Sequence, residues 1–219
     1  MGGAAIFDLD RTLTKRGTWG RFIAFANAGH PAFWMGTPVV AVQAIAYKMG
    51  LATRLSVKEK SIAMLLANLS RDRLEGAAED FAEREVNTGL RAKARSVIEA
   101  HRAQGDALVI ASAAAELVVA PIARRLGIDQ IICTRLRWTN DGRLSPELDG
   151  PNCYGSEKLN RIRETWGAPH AYKTVTAYSD HISDLGLLQW ADRGVAVNPS
   201  KALLIAARRD GIEIVNWDR

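Results

Sequence analysis

Asp8 and Asp10 stand two residues apart, directly after the apolar run Ala4–Phe7. Ser112 follows a second apolar run, Val109-Ile110-Ala111, and Asp180 and Asp184 follow a third, residues 174–178. Lys158 opens an amphipathic stretch three residues after Gly155. Singly, each is ordinary, since a terminal Asp or Ser often caps a helix and a lysine is often solvated. Together, in this order and context, they point to chemistry on an anionic electrophile. Three carboxylates with no Cys or His cluster favour a hard, oxygen-seeking cation such as Mg²⁺. A carboxylate can also attack phosphorus and form an aspartyl-phosphate, with the ion offsetting charge that would otherwise repel it. Asp8 is therefore expected to be both nucleophile and metal ligand. On an extended strand Asp10 faces the same side as Asp8, placed to protonate a leaving oxygen and then to deprotonate water. Ser112 and Lys158 are expected to hold the phosphoryl group by a hydroxyl hydrogen bond and a point charge.

The elements that must position these groups are short buried strands. Ala4–Phe7, Ala107–Ala111, Gln130–Cys133, Thr174–Tyr178, Gly194–Val197 and Ile212–Val215 each read as one, with helical patterns between them. Such alternation predicts an α/β fold with a mostly parallel sheet, in which ligands gather at the carboxyl ends of the strands. Asn140-Asp141-Gly142 inside Leu136–Leu148 predicts a hairpin. At 219 residues, 47% apolar and 24% charged, the chain is an ordinary globular one. Cys133 and Cys153 lack metal-site spacing and read as reduced thiols. The first apolar run leads straight into carboxylates, unlike a signal peptide, so a cytoplasmic location is expected.

Residues 15–85 break the strand rhythm. Ile62, Leu65, Leu66 and Leu69 recur at helical spacing, as do Leu74, Ala77, Ala78 and Phe81, with Ser70 or Asp72 as an N-cap. The domain reading is a helical insertion, 15–85, in a core made of 1–14 and 86–219. Within it, residues 32–47 carry no charge, and no acid occurs between Arg11 and Lys58 while seven cations do. Gly36 and Pro38 interrupt the apolar run, which is short of the roughly 20 residues of a membrane span. It reads either as a helix packed in the insertion or between subunits, or as a segment lying on an anionic membrane. The net charge of +5 suits an anionic partner. With no run of basic and aromatic residues, nucleic acid is not expected.

Asp8-Leu9-Asp10-Arg11-Thr12, Ser112, Gly155-Ser156-Glu157-Lys158 and Asp180-His181-Ile182-Ser183-Asp184 together resemble the haloacid dehalogenase superfamily of phosphohydrolases. The helical insertion after the first motif resembles the phosphoserine-phosphatase-like subfamily IB. The resemblance implies a Rossmann-like core with a parallel sheet flanked by helices and a helical cap. It implies Asp8 as nucleophile, Asp10 as general acid/base, and Mg²⁺ on the Asp8 and Asp180 side chains and the Asp10 carbonyl. Thr12, Ser112 and Lys158 would surround the phosphate, with Asp184 and Ser183 behind the metal ligands. Arg11 stands where many relatives have Gly, and His181 where a small residue is frequent; both are candidate substrate contacts.

Phosphoserine phosphatases carry a Glu nine residues after the nucleophile, and here that position is Gly17. The acid-free apolar segment, and Cys153 two residues before Gly155, resemble PgpC-type phosphatidylglycerophosphate phosphatases instead. A lipid phosphate at a membrane surface is therefore the favoured substrate. A soluble phosphomonoester, or transfer of the phosphoryl group to an alcohol, is the alternative. A binding protein without turnover would be expected to have lost Asp8 or Asp10.

Overall fold

The computed structural model describes residues 2–29, 31–67, 69–167 and 172–219; of residues 31–35, 47, 48 and 54 it describes the backbone alone. The chain begins with β1 (Ala4–Phe7) and passes through α1 (Trp19–Ala26), α2 (Pro31–Lys48), α3 (Arg54–Leu65) and α4 (Arg71–Arg84). It continues through α5 (Ala94–Ala103), β2 (Ala107–Ala115), α6 (Glu116–Arg125), β3 (Gln130–Thr134), β4 (Leu136–Trp138) and β5 (Leu144–Leu148). The last elements are α7 (Ser156–Trp166), β6 (Val175–Ser179), α8 (Leu185–Trp190), β7 (Arg193–Val197), α9 (Lys201–Asp210) and β8 (Glu213–Val215).

Six strands form one sheet in the order β3-β2-β1-β6-β7-β8, with every pair parallel. Helices cover both faces, so β1 and β6 are buried along their whole length. That is why their residues are apolar or small without alternation. The expected α/β class and all six strands are present, and β4 and β5 form the separate antiparallel hairpin. The strand ends differ from expectation by a residue or so except at β2, which runs on to Ala115. Ser112 is thus inside β2 and not after it. The register of β2 against β3 slips between Ser112 and Ala115, a bulge of the kind that re-aims side chains beside active sites.

Between β1 and β2 lie the five helices α1–α5, the first four of them within residues 15–85. Thr53 and Ser56 form a reciprocal capping box at the start of α3, and Ser70, not Asp72, caps α4. The helical run expected to reach Leu69 stops at Leu65, although Leu66 and Leu69 stay buried. The chain enters and leaves this region side by side: Lys15 N–H donates to the Gly89 carbonyl at 2.8 Å, and Arg91 N–H to the Leu13 carbonyl at 2.9 Å.

The uncharged stretch 32–47 falls within α2. The side chains of 32–35 and 47 lie outside the described residues, but the rest of the helix is two-faced. On one face Gly36 is so close to α3 that a Cβ there would sit 2.6 Å from Leu65 and 2.8 Å from the Met64 carbonyl. On the other, Val39, Val42, Ile45 and Met49 follow one another at spacings of three, three and four and are exposed, Val42 at 67% and Met49 at 68%. Leu51 and Leu55, which follow α2 in the chain, are exposed as well. Among the described residues the only other exposed large apolar side chains are Ile205 and Ile214. The reading of 32–47 as wholly packed inside the insertion therefore fails for this stripe. Among the described residues, no helix is long and apolar enough to cross a membrane.

The flanking cations are less available than the sequence suggests. Arg21 forks onto the fully buried Glu85. Lys58 turns inward, donating to the Ala113 carbonyl and to Asn152 Oδ1, each at 2.5 Å. Lys15 and Arg16 remain exposed.

Candidate active site

β1 ends at Phe7, but the Asp8 amide still donates to the Tyr178 carbonyl at 2.9 Å, so Asp8 is held in line with the central strand. The chain then winds through one wide turn, Leu9–Leu13, in which Arg11 takes the left-handed conformation (φ 65°, ψ 0°). A non-glycine residue there costs about 1–3 kcal/mol and persists only where its surroundings over-determine it. Asp10 is therefore not on an extended strand with Asp8, as the two-residue spacing suggested. The turn brings both to one cavity of about 250 Å³, which Arg11, Ser112, Lys158, Asp180, His181, Ser183 and Asp184 also line.

Lys158 is the electrostatic centre. Gly155 at φ 64° and ψ −131°, a conformation that L side chains rarely adopt, swings the chain into α7, whose first turn aims Lys158 inward. The side chain is 2% exposed and donates to Asp8 Oδ1 at 2.9 Å and to Asp184 Oδ2 at 2.6 Å. Burial opposes its charge, but the Asp184 and Asp8 carboxylates outweigh this and raise its pKa. Asp184 Oδ2 also accepts from Ser179 Oγ at 2.7 Å.

Thr12 turns towards Asp8. Its hydroxyl donates to Asp8 Oδ2 at 2.9 Å and the residue is absent from the cavity wall. That hydrogen bond orients the Asp8 carboxylate. Ser112 is 1% exposed, on the cavity wall, with its Oγ accepting from the Ala114 amide at 3.1 Å. His181 Nδ1 accepts the Ser183 amide at 3.2 Å, which leaves the ring proton of the neutral form on Nε2. Ser183 Oγ reaches Asp184 Oδ1 at 3.4 Å.

Asp10 is held by a residue that sequence reasoning passed over. Thr18 donates to Asp10 Oδ1 twice, from its amide at 2.8 Å and its hydroxyl at 2.7 Å. Burial raises the Asp10 pKa against these hydrogen bonds. Gly17 lines the cavity beside Asp10. Tyr154 and Ala113 are further wall residues that no motif flagged. A second, mostly apolar cavity of about 260 Å³ adjoins the first at Asp10 and Ala113, with Trp19, Ala44, Val57 and Lys58 on its walls.

The donor set suits Mg²⁺. Burial, with the like charges of Asp184 and Asp180 adding to it, pushes Asp8 up to about 7 against the pull of Lys158. Burial likewise lifts Asp180 to about 6. Desolvated carboxylates crowded around a single ammonium are what a divalent cation would relieve. Among the described residues no group of three His, Cys, Asp or Glu side chains is placed to hold a metal ion by itself. Two carboxylates with a backbone carbonyl leave the remaining positions to water and phosphate, as Mg²⁺ prefers. Cys133 and Cys153 take no part: both are free and buried, and burial pushes their pKa values to about 12 and about 11.

Known proteins resemble this chain in sequence and in fold. The chain is 36% identical over 186 residues to protein CicA of Caulobacter vibrioides, covering 85% of this chain and 82% of that one. It is 27% identical over 157 residues to a histidinol-phosphatase of Neisseria meningitidis, covering 69% and 70%. A solved structure of a protein of unknown function from Bordetella pertussis Tohama I superposes with a TM-score of 0.86 at 27% identity, over 98% of both chains. A phosphoserine phosphatase, solved as an analogue of its phospho-aspartyl intermediate, shares the fold at TM-score 0.65 and 18% identity, over 100% of this chain and 94% of that one. Residues 5–189 match the family described as haloacid dehalogenase-like hydrolase, and the chain belongs to that family.

Proposed function

We propose that the protein is a Mg²⁺-dependent phosphomonoester hydrolase that works through a phosphoryl-enzyme on Asp8. The observation that carries this reading is the Asp8 carboxylate, oriented by Thr12 and Lys158 at the wall of a cavity shared with Asp10, Ser112 and Asp180. An Asp8 oxygen attacks phosphorus, and the bond to the ester oxygen breaks with its electron pair leaving on that oxygen. Asp10 gives the departing alkoxide its proton. Its Oδ1 is fixed by Thr18, and its burial favours the protonated form this step needs. Asp10 then takes a proton from the water that attacks phosphorus, the bond to Asp8 breaks, and inorganic phosphate leaves. Lys158 and Ser112 hold the phosphoryl oxygens throughout. Mg²⁺, on Asp8, Asp180 and the Asp10 carbonyl, would supply neutralisation of charge between carboxylate and phosphoryl group. The Asp10→Asn variant is expected to lose roughly 10²–10⁴-fold in kcat; a normal rate would remove Asp10 from the mechanism.

The residues 15–85 act as a cap that selects the leaving group, and the favoured substrate is a lipid phosphate presented at an anionic membrane surface. The exposed stripe on α2 supports this, as does the apolar cavity beside Asp10, which suits a leaving group with an apolar body. Gly17, at the cavity wall, offers no counter-charge for an amino group like that of phosphoserine. The second reading is a soluble phosphomonoester, favoured by the small volume of the phosphate cavity and by the histidinol-phosphatase relative. A phosphate-release screen of phosphatidylglycerophosphate and soluble esters, with Mg²⁺ and with chelator, tests the activity. Sedimentation with anionic vesicles tests the surface. Replacing Val42, Ile45 and Met49 together by Ser is expected to weaken vesicle binding on the order of a hundredfold, since each loses apolar burial. Absent vesicle binding with rapid turnover of soluble esters would decide for the second reading.

A further inference from the structure

Among the described residues only two other than glycine have positive φ, Arg11 at 65° and Asn198 at 43°. They lie in different loops, 187 residues apart in sequence, yet both are tied to the same carboxylate. Arg91 is 9% exposed; its Nε donates to the Arg11 carbonyl at 2.8 Å and its Nη1 to Asp218 Oδ2. The same Asp218 oxygen accepts from Asn198 Nδ2 at 3.1 Å. Asn198 in turn accepts the Trp217 amide on Oδ1 at 2.9 Å. Both loops border the site. Arg11 follows Asp10 and lines the phosphate cavity. Two residues beyond Asn198, the Ser200 amide donates to the Asp180 carbonyl at 2.8 Å.

We infer that Arg91 and Asp218 are positioning residues for the reaction proposed above, with Asp218 as one tie holding both strained loops in register. The guanidinium fork is suited to the task because it donates in two directions at once, to a carbonyl and to a carboxylate, which an ammonium on a flexible stem does not reproduce. Arg91 also sits where the chain returns from the helical insertion, since its own amide pairs with Leu13. The conformation of the Asp10–Arg11 turn is therefore coupled to that crossing point as well as to residues 216–218. The network meets the phosphate cavity through Arg11 and, by way of the Ser200 amide, behind Asp180, so its contacts act on placement.

The test exploits the backbone requirement at Arg11. Glycine adopts φ 65° without strain, so Arg11→Gly should make the tie dispensable for this turn. Asp218 is 41% exposed, and Asp218→Asn is expected to fold. In the wild-type background it should lower kcat for p-nitrophenyl phosphate roughly tenfold to a hundredfold, the scale of a small misplacement of reacting groups. In the Arg11→Gly background the same substitution should cost clearly less, only the Asn198 loop then depending on the tie, whatever Arg11→Gly itself costs. Hydrogen exchange of the peptide covering residues 9–15 should rise in Asp218→Asn with Tm nearly unchanged, a readout that stands even if no ester is turned over. Arg91→Lys should behave like Asp218→Asn. Equal losses in both backgrounds, or no change in exchange at 9–15, would overturn the proposal. A fall in Tm alone would assign the pair to stability and overturn it too.

Discussion

Replacing Asp8 by Asn is expected to abolish phosphate release, on the order of 10⁵-fold or more in kcat, the scale seen when an activated nucleophile is removed. The fold should survive. Asn keeps the shape of Asp and an oxygen that accepts from Thr12 or Lys158, and it removes one of the charges that crowd this buried site. Burial is the largest influence on Asp8, raising it towards neutrality, so the uncharged side chain costs the metal-free protein little. Urea unfolding in chelator should give a midpoint equal to or above that of the wild type. Acid quenching during turnover should show one phosphoryl group on the wild-type chain and none on the variant. Turnover within a hundredfold of wild type would sink the assignment of Asp8.

Lys158→Met should combine a loss of activity with a large loss of stability. The ammonium is the shared partner of Asp8 and Asp184, and all three side chains are nearly inaccessible to water. Breaking a buried charge pair from one side strands the opposite charge, at about 3–5 kcal/mol. The cost should be smaller when the stranded charge is removed as well. Lys158→Met with Asp184→Asn is therefore expected to regain much of the stability while remaining inactive, because the buried ammonium that would hold the phosphoryl oxygens is gone. Equal stabilities of the single and double variants would show that the carboxylate had found another partner. Denaturant titrations in chelator separate this effect from stabilisation by bound metal.

The parts of the molecule that were legible in the sequence are those where burial on both faces leaves a plain signal. β1 and β6 are such strands, and the polar groups at their carboxyl ends, Asp8 and Asp180, stand out by contrast. β2 was harder, because Ala113, Ala114 and Ala115 continue it without branching or bulk, and a bulge there leaves no mark in residue type. Thr18 went unremarked and Lys58 counted only among the flanking cations, because a lone threonine or lysine in a helical region reads as a cap or a solvated side chain. Their partners, Asp10 and Asn152, are supplied by the tertiary fold. Arg91 and Asp218 were invisible for the same reason. The uncharged stretch in α2 gave no helical period, since its packed and exposed faces are both apolar. Only coordinates distinguish Gly36 against α3 from Val42 in solvent.

The strand order has a consequence for synthesis on the ribosome. β1 sits in the middle of the sheet, and its two neighbours, β2 and β6, begin at residues 107 and 175. Its backbone therefore waits through the synthesis of more than a hundred residues before any strand exists to pair with it. The four helices of residues 19–84 emerge in that interval and pack on one another, α2 on α3 and α1 on α4, so they are suited to condense before the sheet. Asp8 and Asp10 then join Lys158 and Asp180 only after most of the chain has been made. An interrupted nascent chain exposes an apolar strand and an apolar helix face together, which makes the first half of this protein a natural client for chaperones.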